Sequence, residues 1–304
     1  MVEANMGAEL LLKNPPLLLR LYGSFAAPIF ILISGMMISY ACKNKKHTFL
    51  YFLKKGSLLI LIAALIDILI MRVLPFTSMD VLYLVGLSMP LAYLFEKTDL
   101  SFEVLIIILV FSLTPFLQHL LGYTSFPLPL SIKDGLYQYP LFKVVIQKRW
   151  IIDGWFPIFP WIGFSFLGII LGKLRIRYGN FKNQLFLLFG IIPLALGSFI
   201  WARHPGKLLI RGDYSELFYP PTLGYVIFSI GLIFLLFFIV DYTANNIIYK
   251  PFRMLGQFSL QIYIFHIALG NFLKHAIGPQ SLLSFILIYI LTITSIITVS
   301  RLLK

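Results

Sequence analysis

Long apolar runs broken by short polar stretches dominate the chain, at about residues 21–42, 56–75, 80–96, 103–122, 157–173, 184–202, 222–241, 257–275 and 281–301. A helix needs about 20 apolar residues to cross a hydrocarbon core of roughly 30 Å, with a lower limit near 17. Each run therefore predicts a spanning helix, and 80–96 and 157–173 sit at the short end. The expected fold class is all-α, a polytopic transmembrane helix bundle of about nine complete spanning helices plus a partial first helix, in a single integral membrane domain over 1–304. Residues 1–12 are too few to cross a bilayer, and Met1 to Leu10 reads as the outer end of a first helix whose beginning is missing.

Composition closes the soluble alternative. The chain is 59% hydrophobic and 12% charged with a mean hydropathy of +0.90, whereas soluble domains carry about 25% charged residues. The net charge of +13 does not point to nucleic acid, because the 25 Lys and Arg fall in short clusters between apolar runs and form no extended basic face. They read as topology signals. Lys43, Lys45, Lys46, Lys54 and Lys55 in the loop 43–55, and Lys173, Arg175, Arg177 and Lys182 in the loop 173–183, place both loops in the cytoplasm. Alternation then puts the C-terminus inside and the loops 123–156 and 203–221 outside, as in a multi-pass protein of the cell membrane. Cys42 stands alone, so neither an internal disulfide nor a paired-Cys zinc motif is expected. No phosphate-cradling loop and no HExxH pattern occurs, and no metal is expected.

A charge in the middle of a spanning helix costs about 2.5–3.5 kcal/mol on insertion scales, so such a residue faces the bundle interior and marks a candidate site. Asp67 lies near the centre of the 56–75 run with Arg72 about one turn beyond, and it requires a partner such as His266, Lys274 or Arg72; a structural ion pair and a catalytic carboxylate are both open. In the 257–275 run, Ser259, Tyr263, His266, Gly270 and Lys274 recur at steps of three and four and share one stripe. His266 at mid-membrane is either a base or proton relay or an interhelical hydrogen-bond partner. Asp80, His119, Asp153, His204, Asp213 and Glu216 form an outer set from which an acid–base pair could be assembled, each being otherwise a solvated loop group. The loop 123–156 is Pro-rich from Phe126 to Pro129 and ends in Trp150, Asp153, Trp155 and Phe156, which fits a cavity cap or an interfacial aromatic belt. Ser24, Pro28, Gly35 and Ser39 recur near one face of the 21–42 run and read as close helix packing.

Three segments in order carry a family resemblance: Ala26-Ala27-Pro28-Ile29-Phe30-Ile31-Leu32-Ile33-Ser34-Gly35; Phe156-Pro157-Ile158-Phe159-Pro160-Trp161-Ile162-Gly163 through Leu167-Gly168-Ile169-Ile170-Leu171-Gly172; and Leu255-Gly256-Gln257-Phe258-Ser259-Leu260-Gln261-Ile262-Tyr263-Ile264-Phe265-His266. With these the chain resembles the heparan-alpha-glucosaminide N-acetyltransferase-like family of multispanning membrane proteins. The resemblance implies transfer of an acetyl group from cytoplasmic acetyl-CoA to an amino sugar across the membrane, and it matches Met1 to Asn5 to the end of the family's first helix. The family's acetyl-accepting His has no counterpart, since residues 6–24 hold Asn14, Pro15 and Pro16 but no His. Another residue taking that role, direct transfer and a different activity all stay open.

On this reading the chain is a membrane acyltransferase acting on an extracytoplasmic amino sugar, glycan or lipid-linked sugar. His266, Asp153 or Asp67 would handle the acceptor's proton, and Arg175 and Arg177 would hold the phosphates of acetyl-CoA. The partners expected are membrane lipid and the glycan or lipid-linked acceptor, with a homo-oligomer open. Two other classes stand beside it: a transporter or flippase-like carrier moving a sugar, lipid or ion past Asp67 and His266, and a non-catalytic assembly partner.

Overall fold

A computed structural model describes residues 1–11, 15–45, 47–122, 127–128, 130, 139–182, 184–205 and 217–302. In chain order the helices are α1 (Val2–Leu10), α2 (Leu17–Ser24), α3 (Ala26–Lys45), α4 (Phe49–Ile66), α5 (Val81–Glu96), α6 (Leu100–Leu121), α7 (Tyr139–Lys148), α8 (Ile158–Tyr178), α9 (Gln184–Arg203), α10 (Leu223–Tyr242), α11 (Tyr249–Gln257), α12 (Ser259–Ile277) and α13 (Leu282–Leu302). Two π-helical turns, Asp67–Met71 and Arg149–Asp153, continue α4 and α7. Among the described residues there is no strand, and the all-α membrane bundle expected from the apolar runs is what the chain builds. Within hydrocarbon every peptide group needs an internal partner, and a helix supplies one locally.

Every predicted run coincides with a helix, but the ends differ. Lys54 and Lys55 fall inside α4 instead of in a loop, Lys43 lies in the last turns of α3, and Lys173, Arg175 and Arg177 lie in the last turns of α8. Lys and Arg are good helix formers whose long stems carry the charge back to water, so a helix runs on after its hydropathy falls. Six stretches are long and apolar enough to cross a membrane by length and composition: Leu17–Asn44, Leu100–Leu121, Ile158–Tyr178, Gln184–Arg203, Leu223–Tyr242 and Leu282–Val299. Three of the nine expected spanning helices are outside that set: α4, α12, which carries Gln261, His266, Asn271 and Lys274, and α5, which is apolar but shorter, so the six stretches do not reach the expected count of nine. The expected outer loop 123–156 is helical over much of its later part, in α7 and the π-turn that follows, while Phe126 and Pro129 lie outside the described residues.

The chain forms two compact units, one of Met1–Ala26, Gly206–Pro220 and Leu236–Lys304, the other of Ala27–Pro205 and Pro221–Leu235. In the second, Trp161 is fully buried, with its ring 5.1 Å from Phe156 and 6.3 Å from Tyr225. Without a hydrophobic drive between helices in lipid, close approach comes from small residues. A methyl group on Gly56 of α4 would overlap the carbonyl oxygen of Gly86 on α5, and one on Gly86 would meet the carbonyl oxygen of Gly56 at 2.6 Å. The packing stripe expected on α3 is likewise in place where Gly35 abuts the Ser165 backbone and the Ser39 hydroxyl donates to the Ile169 carbonyl at 3.1 Å. In the first unit, Met6, Leu10 and Leu11 pack with Phe285 of α13, and the Gln280 N–H donates to the Leu10 carbonyl at 2.6 Å.

Backbone contact at Gly56 and Gly86 leaves no flexible side chain to give way. Gly86→Ala should therefore destabilise the protein by about 1–3 kcal/mol, the usual cost of overpacking. Gly256→Ala, where nothing lies within 4 Å of the added carbon, should be close to neutral. Thermal unfolding of both variants in detergent checks this.

Candidate functional site

The 72–80 segment between α4 and α5 is the least regular described stretch of the second unit, with positive φ at Arg72 (53°), Phe76 (69°) and Met79 (47°). Both π-helical turns adjoin it, and such turns recur at functional sites. Asp67 opens the first turn and is buried. Two hydroxyls converge on its Oδ2: the Ser78 Oγ donates at 3.0 Å and the Tyr83 OH at 2.8 Å. Tyr83 in turn accepts from the Phe76 N–H at 3.0 Å, so one phenol ties the carboxylate to the strained loop. Among the described residues no Lys, Arg or His forms an ion pair with Asp67.

From the second π-turn, Arg149 is completely buried; its Nε donates to the Thr77 carbonyl at 2.6 Å and its Nη2 to the Ser78 carbonyl at 3.2 Å. The neighbouring Trp150 donates through its indole N–H to the Phe76 carbonyl at 2.9 Å, and its ring lies 5.7 Å from that of Tyr83. Asp153 closes this turn, fully buried, with the Lys148 Nζ 3.3 Å from its Oδ2. Two buried carboxylates from distant parts of the sequence thus border one loop. Asp80, at the end of that loop, caps α5 by accepting from the Val81 N–H at 2.6 Å.

In the first unit the stripe on α12 meets α1. The His266 Nδ1 lies 2.8 Å from the Ile262 carbonyl and its Nε2 lies 2.9 Å from the Asn5 Nδ2. A carbonyl can only accept, so Nδ1 carries the proton and Nε2 accepts from the amide; the tautomer is assigned from the partners. The Tyr263 ring stands edge-on to the imidazole at 5.3 Å. Further along, the Lys274 Nζ lies 2.6 Å from the Glu9 Oε2. Pairs 5/266 and 9/274 make the two helices parallel; the long Lys274 stem, leaning toward the start of its helix, absorbs the unequal spacing.

The opposite end of the second unit holds the cations expected to meet a phosphorylated donor. Arg175 lies over the Phe181 ring at 5.3 Å and Arg177 over the Tyr178 ring at 5.3 Å. Beside them, the Lys173 Nζ joins α8 to the buried Glu103 of α6 at 2.6 Å. No group of three or more potential metal ligands occurs among the described residues.

Several expectations change at this level. Asp67 sits at the end of its helix, not at the centre, and Arg72 lies past that end in a left-handed conformation. The partners of Asp67 are neutral hydroxyls, while the proposed cations His266 and Lys274 are engaged by Asn5 and Glu9. Asp153 is a buried group, not a solvated one, whereas His119 and His204 are exposed; Asp213 and Glu216 lie outside the described residues. Ser78, Tyr83 and Arg149 were not singled out from the sequence. Asn5 and Glu9 could have been, since they stand four residues apart and so share one face of α1.

Tyr83→Phe removes one of the two hydroxyls on a buried carboxylate and should lower stability by about 1–3 kcal/mol. His266→Ala should cost roughly 0.6–2 kcal/mol, the range for interhelical polar contacts, and His266→Gln should recover much of it. Denaturation of each variant in the same detergent gives the comparison.

No curated protein matches the chain at a significant level. A family model described as heparan-alpha-glucosaminide N-acetyltransferase, catalytic, matches residues 12–195. That span contains Asp67, Ser78, Tyr83, Arg149, Asp153, Arg175 and Arg177, and ends before His266. It covers more than half of the chain, and the chain belongs to the heparan-alpha-glucosaminide N-acetyltransferase catalytic family.

Proposed function

We propose that the protein is a membrane acetyltransferase that moves an acetyl group from acetyl-CoA on the cytoplasmic side to the amine of an extracytoplasmic amino sugar, free, in a glycan or lipid-linked. The observation that carries this reading is the pair of buried carboxylates bordering the 72–80 loop, inside the span that matches the family.

Acetylation of an amine forms a C–N bond, breaks the thioester C–S bond and releases the thiol of CoA. The attacking amine must be neutral, so a group at the acceptor end has to take the ammonium proton. Asp67 suits that task best. Its carboxylate is held in place by Ser78 and Tyr83, which orient it without pairing it to a cation. Asp153 is instead paired with Lys148, and both ring nitrogens of His266 already face hydrogen-bond partners. The acceptor approaches from the side of Phe76 and Trp150, the rings at the rim of the cluster. At the other end, Arg175 and Arg177 bind the phosphates of the donor, a task suited to the guanidinium fork.

The test uses purified protein in lipid nanodiscs with acetyl-labelled acetyl-CoA and glucosamine or a glucosamine oligosaccharide as acceptor. Label should appear on the sugar amine, and Asp67→Asn should reduce kcat by about 10²–10⁴-fold, the span typical of losing a general base. Absence of acetylation by the wild-type protein, or full activity of Asp67→Asn, overturns the reading. Sugar flux in proteoliposomes without acetylation would favour a carrier. Arg175→Glu combined with Arg177→Glu should raise KM for acetyl-CoA, while Lys143→Glu on the exposed side of α7 should leave it unchanged; equal effects would mean that bulk charge, not a donor site, is being measured.

A further inference from the structure

The short helix α11 joins α10 to α12 and divides its surface three ways. At about 100° per residue, Pro251 and Met254 fall on one side, Leu255, Ile248 and Phe252 on a second, and Arg253, Gln257 and Lys250 on a third. Met254 is buried, so the first sector is the one that faces the protein. The second is apolar yet open: Ile248 is 60% exposed and Phe252 64%, and Ile247 in the preceding turn is 83% exposed. The third is cationic. Arg253 donates to the Ala244 carbonyl at 2.6 Å, and neither it nor Lys250 has an ion-pair partner among the described residues.

An apolar face beside a cationic face in water would be a liability, whereas at a membrane surface the two faces match the two layers that meet there. The helix α11 follows α10, which is long and apolar enough to span, so it lies just past one end of that span, and it leads directly into α12. We propose that α11 lies flat in the membrane–water interface, with Ile248 and Phe252 in the outer acyl region and Lys250 and Arg253 against the phosphates of anionic phospholipids. The partner is the lipid leaflet itself, recognised by negative headgroup charge. The proposal does not depend on the acetyltransferase reading.

Nitroxide labels placed at Phe252→Cys and Lys250→Cys, with Cys42 replaced by Ser, test the depth in vesicles of phosphatidylcholine and phosphatidylglycerol. The label at 252 should collide chiefly with oxygen and that at 250 chiefly with a water-soluble nickel complex. Equal exposure of both labels to nickel overturns the placement, as does shielding of 252 from both reagents, which would mean that protein covers the face. A second measurement reads the charge: the unlabelled protein should retain phosphatidylglycerol over phosphatidylcholine, and Lys250→Gln should lower that preference about five-fold, as expected for one cation at an anionic surface. An unchanged preference in Lys250→Gln removes the headgroup contact from the proposal.

Discussion

A hydrocarbon core has no water to satisfy a peptide group, and the rest of this structure follows from that constraint. Over most of its length the chain meets it with helices. Where it does not, at 72–80, other parts of the protein supply the missing partners. The Leu74 N–H donates to the Leu128 carbonyl at 2.8 Å, the Leu130 N–H donates to the Arg72 carbonyl at 2.9 Å, and Arg149 serves the carbonyls of Thr77 and Ser78. The Ser78 carbonyl also accepts from the Trp155 N–H at 3.1 Å. A fully buried guanidinium is costly unless its donors are used. Here that use is to hold an irregular loop at the edge of a carboxylate, so the same contacts that make the loop tolerable also shape the candidate site.

The membrane class and the position of each long apolar helix were legible because the signal for them is local: a run of apolar residues is readable without knowing its neighbours, whereas α7, in a stretch read as a loop, was not. Helix ends were not, because hydropathy reports the part of a helix that lies in lipid, and Lys54 or Arg175 continues the helix while ending the apolar run. The stripe on α12 was also legible, as its period of three to four residues is a property of one helix. Its partners on α1 lie more than 250 residues away, and only the fold pairs Asn5 with His266.

Asp67 shows a different limit. A lone acid in an apolar run argues for a charged partner, since ion pairing is the most direct compensation for burial. The structure compensates with Ser78 and Tyr83, whose hydroxyls carry no charge and therefore leave no mark on a search for cations. The reversal of φ at Phe76 and Met79 that brings this loop back over the carboxylate is invisible as well, because neither residue is a glycine. Arg149 and Asp153 looked like loop residues for a related reason. The segment that carries them is polar enough to read as solvated, but it folds into a helix ending in a π-turn, which turns both side chains inward.

The two ends of the second unit place a constraint on any transfer between them. From Ile158 to Arg175 the backbone of α8 rises about 25 Å at 1.5 Å per residue. Donor phosphates held at Arg175 and Arg177 and an amine held at Asp67 would therefore be separated by most of a hydrocarbon thickness. Proximity is a large part of what an enzyme supplies, and reacting atoms must come within about 3–3.5 Å. On the proposed reading the acetyl group has to cover this distance, either at the tip of a donor threaded along the helices or on a side chain that carries it between two half-reactions. The close backbone contacts of α3 with α8 and of α4 with α5 leave little slack beside those helices. Threading the donor there would require helices to part, whereas a relay would need only side chains to move, so the packing of the glycine contacts bears directly on how the acetyl group crosses.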